Sequence, residues 1–313
     1  MPEPALTPRI VAVVVTFNRR ALLERLLDVL RRTPSLAEIL VIDNASTDGT
    51  GAWLRDVVST TAGLVPVHVV TLDTNTGGAG GFHAGMVVGL ERGADLLWLM
   101  DDDGVPTPGC LETLLEQGTD TWDFWGPAVL AEQDPTRLCF PIRLPGRASV
   151  VHQMSQVEAA AADGVIEGIV IPFNGVLVTR ALVEQIGPVR EEFFIWGDDH
   201  EFRLRAEKAG ARIATVVDSH FLHPATDDLG TPMMFAKTTY NHSPSDLKAY
   251  CMARNNVVNL RDYRGWLAVL AFLVKTVWFY VFTRRDLKRL RLSAQAARAG
   301  LKGDFTGHRR FLA

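Results

Sequence analysis

The sequence predicts an α/β fold: a mostly parallel sheet with helices on both faces. Three observations lead there. Short apolar runs recur at residues 10–15, 39–42, 67–72 and 96–100. Segments with apolar residues at helical spacing lie between them. The runs end in polar or acidic groups, most densely at Asp101-Asp102-Asp103. Strands that alternate with helices pair in parallel and are covered on both sides, and such sheets bind ligands outside the carboxyl ends of their strands.

Taken in order, residues 10–15 read as a buried strand. Leu22, Leu23, Leu26, Leu27 and Leu30 then mark one face of a helix. A second strand at 39–42 ends in Asp43-Asn44, after which Ser46 or Thr47 is placed to cap a helix running through Trp53 and Val57. The third strand is 67–72, a glycine-rich helix covers 78–90, and the fourth strand is 96–100. The stretch 122–180 is β-rich with Pro and Gly breaks and is expected to complete the sheet; 212–217 is a further strand. Residues 226–247 are polar and contain proline, the pattern of a mobile loop. Helical patterning resumes at 248 and runs to the end. The expected organisation is therefore a catalytic domain at 8–225, a loop at 226–247 and a helical region at 248–313.

Composition narrows the possibilities. A chain of 313 residues, 47% of them hydrophobic, can bury one large core or two modest ones. A net charge of −4 gives no reason to expect nucleic acid. The charge is unevenly spread: residues 284–313 hold nine Lys/Arg against two Asp, so the tail carries +7 and the rest −11. Cys110, Cys139 and Cys251 are widely spaced, show no metal-pair pattern and suit a reducing compartment. Residues 1–8 show no charged region followed by an apolar stretch, so no secretory signal is expected.

Three adjacent carboxylates at a strand end repel one another unless a cation neutralises them. A divalent ion holding a diphosphate does so, because hard cations take oxygen ligands from protein and phosphate together; the alternative is an acidic turn. Thr16, Asn18, Asp43 and Asn44 end neighbouring strands, where amides and a carboxylate suit a base edge and a ribose hydroxyl, and Arg19 suits phosphate. Strands also end in Asp or Asn for turn reasons alone. Asn75-Thr76-Gly77-Gly78-Ala79-Gly80-Gly81-Phe82 opens a helix with glycines that serve either an anion at the helix N-terminus or close packing. A second acidic cluster, Asp198-Asp199-His200-Glu201, supplies a base for an attacking hydroxyl, or, for Asp198 and Glu201, a capping box. His220 and His223 follow the strand at 212–217, and an imidazole there can ligate a divalent ion.

Together these segments resemble family 2 glycosyltransferases of the GT-A fold. The likeness rests on Thr16-Phe17-Asn18-Arg19, residues 41–50, residues 75–82, Asp101-Asp102-Asp103-Gly104 and residues 196–202. Residues 134–138, Phe140-Pro141, Phe173-Asn174-Gly175 and residues 283–286 resemble more closely the galactofuranosyltransferases that initiate cell-wall galactan. The resemblance implies Mn²⁺ or Mg²⁺ at Asp101, Asp103 and His223, with Thr16, Asn18, Arg19, Asp43, Asn75 and Asp102 holding the nucleotide. It implies Asp199 as catalytic base, Asp198 and Glu201 orienting the acceptor, and Trp196, Phe173 and Asn174 against the sugar. The implied donor is UDP-galactofuranose and the implied acceptor a rhamnose-terminated, polyprenyl-diphosphate-linked glycan. Rhamnosyltransferases using dTDP-rhamnose share the general motifs. A nucleotidyltransferase would place a glycine-rich basic loop after its first strand, where Thr16-Phe17-Asn18-Arg19 has no glycine. A non-catalytic sugar-nucleotide-binding membrane protein would be expected to have lost part of the Asp set.

Residues 265–282 form an apolar run at the lower limit of a membrane span, with Lys275 inside it and a basic segment following. Lys275, Trp266, Trp278 and Tyr280 favour an interfacial helix over a span; a helix buried against the domain is the alternative. The expectation is peripheral attachment to the cytoplasmic face of the plasma membrane, where anionic lipid attracts basic segments.

Overall fold

The computed structural model describes residues 8–59, 63–146, 150–225, 230–234 and 238–312. The chain divides into two compact units, Met1–Val189 with Phe202–Ala225, and Arg190–Glu201 with Thr226–Ala313. In chain order the first elements are β1 (Ile10–Thr16), α1 (Arg20–Leu30), β2 (Glu38–Asp43), α2 (Thr50–Ser59), β3 (Val67–Thr71), α3 (Gly77–Glu91) and β4 (Leu96–Asp101). Then come β5 (Val105–Pro106), α4 (Cys110–Glu116), β6 (Phe124–Ala131), β7 (Asp134–Arg143), β8 (Val150–Gln153), α5 (Met154–Glu158), β9 (Val165–Glu167), β10 (Asn174–Thr179) and α6 (Arg180–Ile186). They are followed by α7 (Asp198–Lys208), β11 (Ile213–His223), β12 (Gly230–Met233), β13 (Thr238–Asn241), α8 (Asp246–Tyr263), α9 (Trp266–Trp278) and α10 (Leu287–Lys302).

The first unit is built on a sheet of order β3-β2-β1-β4-β10-β6-β11-β5. β3, β2, β1 and β4 pair in parallel, and β10 enters antiparallel to both β4 and β6. Every residue of β1 and β2 is buried, as expected of parallel strands covered on both faces. Of the two acidic residues in that pair of strands, Glu38 is neutralised by Arg9 at 2.9 Å and by Arg92. The register aligns Thr16 with Asp43 and Val15 with Asp101, which brings the polar ends of three strands to one edge.

The glycines of α3 are mostly packing residues. A Cβ on Gly81 would lie 2.4 Å from Val15 Cγ1, on Gly85 2.3 Å from Val13 Cγ1 and on Gly89 2.6 Å from Leu97 Cδ2. Spaced four apart, they form one stripe that lets the helix backbone settle onto the sheet. Gly78 faces open space, so of the two readings of the glycine-rich segment, packing accounts for the part from Gly81 onward.

Two local expectations are corrected. Helix α2 begins at Thr50, whose N–H donates to Asp48 Oδ1 at 3.1 Å. Ser46 and Thr47 do not cap it because both are bonded to Asn18: its N–H donates to Ser46 Oγ, and Thr47 N–H donates to its Oδ1. Strand β11 does not stop at 217 but runs to His223, with a register shift between Val216 and His220.

The second unit holds the hairpin β12–β13 and helices α8 to α10. The stretch 226–247, expected as a mobile loop, therefore contains paired strands. Tyr240 anchors them by stacking on Phe279 with ring centroids 4.4 Å apart, and its hydroxyl lies 3.0 Å from Thr276 Oγ1. A single π-helical turn, Phe279–Thr283, follows α9. Ser245 caps α8 and Asp286 caps α10 through side-chain bonds to Lys248 N–H and Arg289 N–H.

Candidate functional site

At the carboxyl edge of β1 and β4 the structure brings Thr16, Arg19, Asp102, Asp103 and His223 together. Thr16 Oγ1 donates to Asp102 Oδ2 at 2.7 Å. Arg19 Nη1 donates to Asp102 Oδ1 at 3.1 Å and to Asp103 Oδ2 at 2.7 Å. Asp101 closes β4, its N–H donating to the Phe173 carbonyl at 3.1 Å. Burial raises the Asp102 carboxyl above the usual range despite the bonds from Thr16 and Arg19. Burial works the same way on Asp103, but His223 and Arg19 outweigh it and hold that carboxyl low.

His223 arrives from β11 with Nε2 3.2 Å from Asp103 Oδ1. Its Nδ1 lies 2.8 Å from the Pro224 carbonyl and 3.4 Å from Cys139 Sγ. A carbonyl at Nδ1 fixes the proton there and leaves Nε2 to face Asp103, the arrangement seen in histidines that ligate metals. Burial opposes the imidazolium, but Asp103, Cys139 and the Pro224 carbonyl raise it to about 10. Asp103 Oδ1 is buried and makes no well-formed hydrogen bond.

These groups fit a divalent cation. Two donors on one ion with bonds of about 2.1 Å at right angles stand about 3 Å apart, close to the separation of Asp103 Oδ1 and His223 Nε2. Among the described residues no three His, Cys, Asp or Glu side chains form a complete metal cage. Two protein ligands supplemented by diphosphate oxygens is the arrangement hard cations adopt with nucleotides.

Other residues of this edge hold the loops. Asp43 is buried and its Oδ1 accepts from Ser46 N–H at 3.0 Å. Asn44, also buried, donates to the Gly77 carbonyl at 2.8 Å and accepts from Thr76 N–H at 2.9 Å, which ties β2 to the start of α3. Asn75 Oδ1 accepts from Gly77 N–H at 2.8 Å. Asn18 takes a positive φ of 55° and bonds the 46–47 loop.

Phe173 is corrected to a core residue. It is 3% exposed and stacks on Phe82 with centroids 4.2 Å apart. Asn174, placed with it against the sugar, turns its amide to the Pro172 carbonyl at 2.9 Å.

In the second unit, residues 193–201 form an acidic turn leading into α7. Phe194, Trp196 and Gly197 all have positive φ, at 66°, 72° and 83°. For the two non-glycine residues this costs on the order of 1–3 kcal/mol each. Side chains of α8 offset it. Asn255 Nδ2 lies 2.7 Å from the Trp196 carbonyl, 3.0 Å from that of Phe193 and 3.2 Å from that of Ile195. Arg254 Nη2 donates to Phe193 O at 2.7 Å, and Asn259 donates to Gly197 O at 2.9 Å. Such bonds contribute about 0.5–1.5 kcal/mol each, more for the guanidinium, which matches the strain.

Asp198 is buried, and desolvation together with the neighbouring Asp199 pushes its carboxyl up to about 8. Glu201, 1% exposed, accepts from the Tyr263 hydroxyl at 2.6 Å. Glu201 N–H donates to Gly197 O at 3.0 Å. Asp199 is half-buried, and its Oδ1 accepts from His200 N–H at 2.7 Å. Sequence reasoning passed over Arg254, Asn255, Asn259 and Tyr263. Their signal was a set of polar residues within an otherwise core-facing helical stretch.

Residues 11–151 match the family described as Glycosyl transferase family 2. Over 294 residues, 91% of this chain and 93% of the relative, the sequence is 33% identical to galactofuranosyltransferase GlfT1 of Mycobacterium tuberculosis. The chain belongs to glycosyltransferase family 2. Its fold is GT-A: it is similar over 96% of its length to Staphylococcus aureus TarS 1-349, solved with UDP-GlcNAc, at a TM-score of 0.57 and 14% identity, with 89% of that chain covered. It is likewise similar to the mannosyltransferase PcManGT of Pyrobaculum calidifontis, solved with GDP-Man and Mn²⁺, at a TM-score of 0.55 and 17% identity, covering 96% of this chain and 89% of that one. This glycosyltransferase thus shares its chain trace with proteins bound to nucleotide sugars.

Proposed function

We propose that this glycosyltransferase moves galactofuranose from UDP-galactofuranose to a rhamnose-terminated, polyprenyl-diphosphate-linked acceptor, with inversion at the anomeric carbon. The observation that carries the donor is the 33% identity to a galactofuranosyltransferase across 91% of the chain. The group at Thr16, Arg19, Asp102, Asp103 and His223 supports a diphosphate leaving group. A bound divalent ion, Mn²⁺ or Mg²⁺, supplies Lewis-acid neutralisation of the departing diphosphate. Asp103 and His223 would hold it, with Asp101 at the same strand end. Arg19 bonds the carboxylates and is 48% exposed at its side chain, so its guanidinium is open to a phosphate.

Asp199 takes the proton of the attacking hydroxyl. Burial keeps a proton on Asp198, which leaves Asp199 as the member of the acidic pair suited to accept one. Attack on the face opposite the leaving group inverts the anomeric centre, with oxocarbenium character at the carbon.

The lipid part of the acceptor is supported by α9. Trp266–Thr283 is long and apolar enough to cross a membrane, yet only 22% of it is buried. Trp266, Leu267, Leu270, Val274 and Val277 are all exposed. At 100° per residue they fall within one arc of about 100°. Exposed Arg284, Arg285, Lys288 and Arg291 follow at once. Apolar insertion plus basic attraction is the two-signal anchor of a peripheral protein, here on the cytoplasmic face of the plasma membrane.

Purified protein incubated with UDP-galactofuranose, UDP-galactopyranose or dTDP-rhamnose and a rhamnose-terminated lipid acceptor tests the reading. The expected result is a gain of one or more hexose masses with UDP-galactofuranose alone, lost in chelator and restored by Mn²⁺. Transfer from dTDP-rhamnose only would make the protein a rhamnosyltransferase.

A further inference from the structure

Helix α8 carries a stripe of polar side chains that the reaction as described does not use. Asn255, Asn259 and Tyr263 are spaced four apart and so lie along one helical face. They meet the acidic turn in chain order. Asn255 bonds the carbonyls of Phe193, Ile195 and Trp196, Asn259 bonds that of Gly197, and Tyr263 bonds the Glu201 carboxylate. Asn255 cannot flip its amide, because Arg254 Nε donates to its Oδ1 at 2.8 Å. Arg254 is itself fully buried; its remaining donors reach the backbone carbonyls of Phe193 and Phe305, with Nη1 also 3.1 Å from His308 Nδ1. Both residues of this pair therefore point donors at main chain, and the recipient is the turn whose φ values are positive at Phe194, Trp196 and Gly197.

A turn with this many left-handed residues does not hold its shape unaided. Its last residue, Gly197, precedes Asp198 and Asp199, the first two residues of α7. The direction in which Asp199 leaves the backbone is thus set by where Asn255 and Asn259 pin the carbonyls before it.

We infer that Asn255, locked by Arg254 and assisted by Asn259, is a positioning residue that holds the 193–197 turn so that Asp199 meets the acceptor hydroxyl. The inference rests on Asp199 acting as base. It predicts that loosening the turn slows turnover through Asp199 and leaves nucleotide binding alone, because none of these side chains belongs to the strand-edge group at Asp102 and Asp103.

The test uses the full-length protein, with UDP affinity by calorimetry and UDP release from UDP-galactofuranose in the presence of acceptor. Asn255→Asp keeps the volume but replaces the donors with carboxylate oxygens facing three carbonyls. It should bind UDP within about twofold of wild type while kcat falls about 100-fold, the scale of a misplaced catalytic group. The Asn255→Asp/Asp199→Asn double variant should be no slower than Asp199→Asn alone, since both changes disable one group. If Asn255→Asp does not fold, Asn259→Ala, which removes a single carbonyl bond, carries the test with an expected severalfold loss in kcat at unchanged UDP affinity. Wild-type kcat in the folded variant beside a disabled Asp199→Asn overturns the positioning role and leaves the base assignment standing. Losses that multiply in the double variant overturn it too. Wild-type turnover in Asp199→Asn removes the base assignment, and the inference with it.

Discussion

His223 Nε2 stands 3.2 Å from Asp103 Oδ1 while its Nδ1 is held 2.8 Å from the Pro224 carbonyl. One ring nitrogen is thus committed to the backbone and the other is presented to a carboxylate oxygen that is buried and without a well-formed hydrogen bond. The two atoms are spaced as two ligands of one divalent cation would be. The two residues come from elements 120 positions apart, β11 and the end of β4, so only the folded sheet assembles them.

The consequence is a prediction for metal-dependent nucleotide binding. Asp103→Ala and His223→Ala should each weaken UDP affinity in Mn²⁺ by at least about 10-fold, the scale on which even supporting residues of metal sites act. In chelator, wild type and variants should bind UDP equally weakly. Titration calorimetry with and without Mn²⁺ reads this. Equal Mn²⁺ enhancement of UDP binding in His223→Ala and wild type would remove the histidine from the metal site.

Asp198 makes stability pH-dependent with an unusual sign. Its carboxyl titrates near 8 in the folded protein and near 4 when unfolded. Between those values the folded state holds a proton that the unfolded state does not, so stability falls as pH rises from about 4 to about 8. The contribution is fully present below pH 4 and lost above pH 8. Asp198→Asn mimics the protonated form and should flatten the profile, with a melting midpoint a few degrees above wild type at pH 8 and close to it at pH 5. Parallel wild-type and variant profiles across pH 5–8 would mean that Asp198 is not held protonated.

The α3 stripe can be tested by adding a single methyl group. Gly85→Ala would put a Cβ 2.3 Å from Val13 Cγ1 and 3.3 Å from Ile42 Cγ1. Both neighbours are fully buried strand residues, so relief requires the helix to move off the sheet. The expected cost is about 1–3 kcal/mol, measured by denaturant unfolding. Gly78→Ala meets no atom within 4 Å and should be neutral or slightly stabilising, as for any Gly-to-Ala change inside a helix. Equal effects at the two positions would contradict the packing account.

Periodicity made the first half of the fold legible. Strands at 10–16, 38–43, 67–71 and 96–101 announce themselves as apolar runs, and the register that pairs Thr16 with Asp43 and Val15 with Asp101 follows from parallel pairing. Within 226–247 the hairpin of β12 and β13 looks polar in sequence because one aromatic, Tyr240, holds it; what anchors it lies about 40 residues away at Phe279. Phe173 was placed against the sugar because its neighbours carry a motif, but a motif does not say which side chain turns into the core, and Phe82 was waiting there. Asn255 and Asn259 show in the sequence only as polar residues within a core-facing helical stretch, with nothing to name their partners. Their contacts lie about 60 residues upstream and go to carbonyls, which no side-chain pattern records.

The exposed apolar arc of α9 leads to the last prediction. Leu267 is 84% exposed and Leu270 59% exposed, so neither supports the fold of its own unit. Val269 and Thr276, on the opposite side of the helix, are buried. Replacing Leu267 and Leu270 with Glu removes two insertable side chains and adds two negative charges to the face that would meet anionic headgroups. Each buried leucine side chain is worth about 1.5–3 kcal/mol on transfer from water, so the pair should lower affinity for anionic vesicles by two orders of magnitude or more. The melting midpoint should stay within about 2 °C of wild type, because surface changes of this kind seldom exceed 0.5 kcal/mol. Cosedimentation with phosphatidylglycerol vesicles at two salt concentrations reads the effect, with the wild type releasing partly at high salt as its basic segment is screened. Should the double Glu variant pellet like wild type, or should it melt far lower, the arc packs on protein and the lipid-surface assignment fails.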